Sequence, residues 1–163
     1  MRLVPHPHPS TGMPSHPAEY TAPSLRDTLG GMPEDRDFGL MLARYQASGG
    51  LARGDDLARW MEAVHHGSFM SLAKLMASGE VLSFLWHDTP WVPMFQFEPG
   101  GLSLRPGPQE VFAVLAGTFD GWALAVWFTQ PNDRLLGHSP VELLDSDLQA
   151  VLTVARQDRF IAG

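Results

Sequence analysis

Residues 121–128 read GWALAVWF, a run apolar on almost every side. A helix with no polar face has nothing to offer water, so it has to lie inside the other elements. Pro131-Asn132 closes it soon afterwards. The rest of the chain must therefore supply elements that bury this one. At 163 residues and 44% hydrophobic composition it can form one ordinary domain, or two small modules sharing a core.

The pattern on the N-terminal side divides sharply. Residues 1–34 hold seven of the fourteen prolines and no helical or strand period, which predicts a disordered arm. From Asp35, apolar residues recur at Phe38, Met41, Leu42 and Tyr45, one face of a helix that Ser48-Gly49-Gly50 stops. Leu57, Trp60, Met61 and Val64 repeat the spacing behind Asp55 and Asp56, which suit the first turn of a second helix. After His65-His66-Gly67, Ser68 is placed to cap a third helix with Leu72, Leu75 and Met76 on its apolar face. Two aromatic runs, VLSFLWH and WVPMFQF, then flank Asp88-Thr89-Pro90 as a β-hairpin, with Pro93 placing its second strand at an edge or a bulge. Helix, turn, helix and hairpin predict a winged helix-turn-helix-like module over residues 35–100.

Beyond the connector EPGGLSLRPGP, Val111, Phe112, Leu115 and Phe119 predict another helix ahead of the buried one. Ser139-Pro140-Val141-Glu142 is a capping box with proline at the first helical position, and Ser146-Asp147-Leu148-Gln149 repeats the form. The second box should start a helix carrying Leu148, Val151, Leu152 and Ala155 on one face. The expected fold is mostly α with one β-hairpin, a winged helix-turn-helix-like module packed on a small helical domain over residues 107–163.

Composition and motifs exclude several functions. Cysteine is absent, which removes disulfides and thiolate metal sites and makes the cytoplasm the expected compartment. No apolar run approaches a membrane span of about 18 residues, and no signal-peptide core is visible. The net charge is -7, and acidic residues outnumber basic ones in each of the stretches 1–50, 51–100 and 101–163. Such a balance weighs against strong non-specific nucleic-acid binding, which depends on cations neutralising phosphates. Adjacent His65 and His66 would point about 100 degrees apart on a helix, and no metal-ligand spacing is present, so neither a metal nor a cofactor is expected. With no catalytic motif either, the chain reads as a non-enzyme.

The C-terminal part carries a resemblance. WALAVWFTQPNDRLLGHSPVELL followed by AVLTVARQDRF is similar to the toxin-binding domain of Xre/MbcA/ParS-type antitoxins, whose pattern runs from a Trp-rich helix through W-x-x-x-P-N to L-G-G-R-(S/T)-P and a Leu-Leu pair. Trp127, Pro131, Asn132, Leu136, Gly137, Ser139, Pro140, Leu143 and Leu144 carry that pattern, and WVPMFQFEPGG resembles the P-x-F-Q-F element that precedes the domain in relatives. The likeness covers roughly residues 50–163. It implies a bacterial toxin–antitoxin setting, with a helix-turn-helix that autoregulates its operon and a C-terminal domain that binds a partner protein, commonly a RES-type toxin acting on NAD. His138 stands where the family has arginine. The implied reading helix, residues 68–76, offers only Lys74 as a cation, although recognition helices bring several groups to phosphates and bases.

The candidate residues follow from both readings. Trp86 and Trp91 beside the hairpin tip, Asn132 and His138 in the signature, and Arg156, Arg159 and Phe160 at the end of the last helix are candidates for partner binding. Tryptophan and arginine are the residues interface hot spots favour. Lys74 is the candidate for DNA, whereas Trp60, Trp122 and Trp127 are expected in the core. The leading expectation is steric occlusion of a partner protein. DNA binding as a transcriptional regulator, for which a homodimer would serve, and a non-catalytic adaptor that kept the fold without a toxin are the alternatives. Truncation from Ala155 onward is expected to weaken partner capture and leave the fold intact.

Overall fold

The structure, a computed structural model, describes residues 33–64 and 71–162. Nearly all of the expected arm, His65-His66 and Ser68 lie outside the described residues. The order is α1 (Asp35–Tyr45), β1 (Leu51–Arg53), α2 (Gly54–Val64), α3 (Leu72–Ala77), β2 (Phe84–Trp86), β3 (Thr89–Pro93), α4 (Pro106–Leu115), α5 (Gly121–Thr129), α6 (Pro140–Leu143) and α7 (Leu148–Ala162). Short 3-10 turns at Gln46–Ser48, Met94–Gln96 and Asp133–Leu135 complete it. The protein is mostly α with a small antiparallel sheet, the expected class.

α1 begins where expected: the Asp37 carboxylate accepts from the Glu34 N–H at 3.1 Å, closing a capping box. Its inner face is Met41 and Tyr45, both buried, with Phe38 half-buried; Leu42 is exposed. Gly49 and Gly50 then take φ of 105° and 80°, the left-handed turn that only glycine enters at little cost. The chain leaves this turn as β1, a strand not expected from the sequence. It pairs with β3 through Leu51–Pro93, Ala52–Val92 and Arg53–Trp91, giving the sheet order β1-β3-β2. β3 is thus the central strand, correcting its placement at an edge; Pro93 is tolerated as the last residue of that strand. The hairpin turn is also displaced. It is His87-Asp88, at φ of 46° and 59°, while Thr89 and Pro90 already belong to β3.

α2 buries Leu57 and Met61 but leaves Trp60 49% and Val64 42% exposed, so Trp60 is not the expected core residue. The buried stripe of α2 is narrow: Gly54, Leu57 and Met61 face β3, and a Cβ at Gly54 would lie 2.8 Å from Pro90 Cγ. α3 starts one turn later than expected. Ser71 caps it, its Oγ accepting from the Lys74 N–H at 3.4 Å, and Leu72 and Leu75 point inward.

The segment after β3 is organised by Gln96, which is fully buried. Its Oε1 accepts from the Leu82 N–H at 2.8 Å, and its Nε2 donates to the carbonyls of Leu82 at 2.9 Å and Pro93 at 2.7 Å. One side chain thereby satisfies both backbone groups of Leu82, as a strand partner would. α4 ends at Leu115, and Gly117 at φ 74° turns the chain away, so Phe119 is half-buried in the following turn, off the helix on which it was expected.

α5 is the interior helix its composition requires. Asp120 caps it through the Ala123 N–H at 2.8 Å, and Ala123, Ala125, Trp127, Phe128 and Thr129 are buried. Trp122 is half-buried, packed edge-on against Phe84. The capping box of α6 forms as the sequence predicts. The cap of α7 is Asp147, whose Oδ1 accepts from the Ala150 N–H at 3.1 Å, one residue later than the expected Ser146.

Two apolar clusters hold these elements together. The larger joins Met41 and Tyr45 of α1 to Phe95, Phe112, Phe128 and Val151, so α1 shares its core with the helices beyond residue 106. Tyr45 makes the link polar as well as apolar: its hydroxyl donates to the Ala125 carbonyl at 2.7 Å, and burial pushes its pKa well up. The smaller cluster lies between α2, α3 and the sheet, around Leu57, Met61, Leu75 and Val92. Among the described residues no helix is long and apolar enough to cross a membrane.

Candidate functional site

The residues between α5 and α6 form a tightly bonded loop. The Asn132 side chain accepts from the Arg134 N–H at 2.9 Å, its N–H donates to the His138 carbonyl at 3.0 Å, and its carbonyl accepts from the Gly137 N–H at 3.0 Å. Asparagine suits this place because its amide imitates a backbone turn. The loop inserts Leu135 into the core and turns Leu136 outward, 93% exposed, at φ 56° and ψ 33°. A leucine in this left-handed region costs about 1–2 kcal/mol relative to ordinary backbone. Among the described residues the side chain held there is almost wholly uncovered.

The loop is tied to the end of α7. The Trp127 indole N–H donates to Asp158 Oδ2 at 2.8 Å, Asp158 pairs through its other oxygen with Arg134, and Arg134 Nη1 donates to Gln157 Oε1 at 2.9 Å. This network fixes the last turns of α7, from which Phe160 and Ile161 project at 89% and 69% exposure. Together with Leu136 they make three of the four most exposed large apolar side chains among the described residues, the other being Leu85. Two depressions flank this end. One, about 770 Å3, is bounded by Trp127, Asn132, Asp158 and Ile161. The other, about 630 Å3, lies among Val114, Arg156, Arg159 and Phe160.

The structure thus brings Arg156, Arg159 and Phe160 together and sets Asn132 in the neighbouring depression. Neither arginine has an ion-pair partner among the described residues. His138 is exposed, with Nδ1 4.0 Å from Glu142 Oε2. Glu142 also reaches back to accept from the Ser139 N–H at 2.6 Å and from its hydroxyl at 2.8 Å. The hydrogen bond from the Ser139 backbone, then that from its side chain, then the His138 charge hold its carboxyl below the usual glutamate range.

Trp86 and Trp91 are held elsewhere. Phe38 of α1 stacks on Trp86 at 4.9 Å and meets Trp91 edge-on at 5.0 Å, while Trp86 also stacks near Trp122 at 5.9 Å. Both are half-buried, packing the hairpin onto α1 and α5. Lys74 stands exposed on α3, as the only cation of that six-residue helix. Among the described residues no group of acidic or histidine side chains is arranged to hold a metal ion.

Sequence reasoning missed the exposure of Leu136 and Ile161 and the Trp127–Asp158–Arg134 network. The spacing of Trp127 and Asp158, 31 residues apart, gives no local signal for their contact. Truncation from Ala155 is also corrected as a fold-neutral change: Ala155 is fully buried, and Asp158 anchors Trp127. Comparison with family models, curated proteins and solved structures gives no match for this chain.

Proposed function

We propose that the chain is a protein–protein interaction module of the antitoxin type, whose C-terminal helices bind a partner protein and occlude or regulate it. The single observation that carries this reading is the exposure of Leu136 on its hydrogen-bonded loop and of Phe160 and Ile161 at the end of α7, two segments that Arg134 and Asp158 tie together. Apolar side chains carried on a backbone already held by a hydrogen-bonded loop and by the Asp158 network require less backbone ordering on binding. Arg156 and Arg159 beside Phe160, without ion-pair partners among the described residues, add the cations that interface hot spots favour. The sequence resemblance supplies the class of partner, a toxin of the RES type.

A second reading has its own support. The element order α1-β1-α2-α3-β2-β3, with the first strand beside β3, supports a winged helix-turn-helix-like reading and with it transcriptional regulation. The single cation of α3 makes that reading the weaker one.

The test is expression of the neighbouring open reading frames in a heterologous host, each alone and with this chain. One of them should arrest growth, this chain should relieve the arrest, and Phe160→Ser with Ile161→Ser should abolish relief without lowering the thermal midpoint. Relief unaffected by the double substitution would remove the α7 tip from the mechanism. The absence of any toxic neighbour would favour an adaptor or regulator.

A further inference from the structure

Trp60 has the spacing of a core residue on α2 yet is exposed, and a groove of about 510 Å3 runs beside it. That volume falls within the range of about 300–1,000 Å3 usual for ligand sites. Met94 and Pro99 continue its apolar wall, and the buried Phe97 and Leu102 close it. The turn that carries Pro99 is held by its own backbone: Phe97 bridges Leu104, and the Glu98 N–H donates to the Ser103 carbonyl at 2.7 Å. Glu98 is exposed at the rim without an ion-pair partner among the described residues, while Arg105 and Asp145 offset each other. The groove is therefore aromatic, preformed and acidic.

Such a groove suits a proline-rich segment, whose rings pack on an indole and whose backbone is already extended. This chain supplies one. Residues 1–18 hold five prolines, Arg2 and three histidines and no carboxylate, whereas residues 33–163 carry 16 acidic and 9 basic side chains. Pro14 and Pro17 have the P-x-x-P spacing, which sets two rings on one face of a polyproline II helix, about 9 Å apart. The length between segment and groove also fits. Fifteen residues separate Pro17 from Pro33, where the described chain begins, and a flexible linker of that length spans about 20 Å on average. α1 covers about 16 Å from start to end, and Ser48 and Gly49, just beyond its end, border the groove. A tether matched to its span keeps its end at an effective concentration on the order of millimolar, so a modest affinity suffices.

We propose that the segment around Pro14 and Pro17 docks in the Trp60 groove of its own chain. The two proline rings lie against the indole and the apolar wall, and the acid-free stretch brings cations to Glu98. A second folded copy would bring its excess of carboxylates to an acidic rim and fits it less well. The contact is independent of the antitoxin reading, since both sides belong to this chain.

The experiment follows the Trp60 indole N–H and the Gly100 and Leu102 amides by NMR in the full chain. Pro14→Ala with Pro17→Ala should shift all three signals and leave the Trp127 indole where it is. A peptide of residues 10–20, added to that double variant at millimolar concentration, should return the three signals saturably to their wild-type positions. The same peptide with both prolines replaced by alanine should not. Wild-type positions should be independent of chain concentration, as docking within one chain requires. Coincident Trp60 signals in wild type and the double variant, or no response to the peptide, would overturn the proposal. Signals that move with chain concentration would put the segment in the groove of a second copy and overturn docking within one chain.

Discussion

The Trp127 indole donates to Asp158 across 31 residues of sequence, at 2.8 Å, and this bond locks the buried helix α5 to the last helix α7. Asp158 is 16% exposed and holds Arg134 with its second oxygen, so one carboxylate satisfies an indole in the core and a guanidinium at the surface. Asp158→Ala leaves the indole without an acceptor. A buried donor without a partner costs about 1–3 kcal/mol, and a loss of that size is expected in chemical denaturation. Arg134→Ala removes only the outer, more exposed half of the network and should cost about 1 kcal/mol or less.

Gln96→Leu keeps an apolar volume but strips the hydrogen bonds that Leu82 and Pro93 share with the amide. Several buried backbone groups are left unanswered at once, and the variant should lose more than about 2 kcal/mol. Gln96→Glu retains the acceptor for the Leu82 N–H but buries a carboxylate that cannot donate, and is expected to be destabilised as well. Urea midpoints of the two variants check this.

Much of this architecture is legible in the sequence. The apolar run of α5, the glycine pair after α1, the Ser139–Glu142 box and the overall class all follow from local rules, because capping and amphipathic spacing act within a few residues. What escaped depends on distant partners. β1 is three residues long and exists because β3 lies beside it; no periodicity can mark so short a strand. Trp60 keeps the spacing of a core residue, yet α2 buries only the stripe facing β3. The His87-Asp88 turn uses positive φ at residues less suited to it than glycine, so Asp88-Thr89-Pro90 looked like the better turn. At the candidate site, Arg156, Arg159 and Phe160 stood out by type and position, but the exposure of Leu136 did not: leucine in sequence signals burial, and only the backbone shows that it is turned outward.

Leu136→Gly separates stability from function. Glycine enters the left-handed region freely, so the variant should gain about 1 kcal/mol from relief of strain, offset in part by glycine's greater entropy when unfolded. If Leu136 contacts the partner, the same variant binds it less tightly although it melts higher. Calorimetric melting and partner affinity, measured side by side, check the pair of signs.

Glu142 gives a pH dependence with a defined sign. Its folded-state pKa is lowered by the hydrogen bonds from Ser139. The stability it contributes is therefore full above the ordinary glutamate range and is lost as pH falls through the folded value. Wild type should exceed Glu142→Gln in stability at neutral pH, and the difference should shrink on acidification below that range. The carboxylate is largely exposed, so the effect is small. A difference that stays constant with pH would mean the capping geometry matters and the charge does not.

The central claim is that the α7 end and the Leu136 loop together engage a partner. The most direct measurement is affinity capture of the tagged chain from its native cells, in parallel with Leu136→Gly and with Phe160→Ser, identifying bound proteins and sequencing bound DNA from the same samples. The account predicts one stoichiometric protein, encoded next to this chain and toxic when expressed alone, retained by wild type and lost from both variants. Recovery of promoter DNA with no such protein, or a partner retained equally by all three, would contradict it.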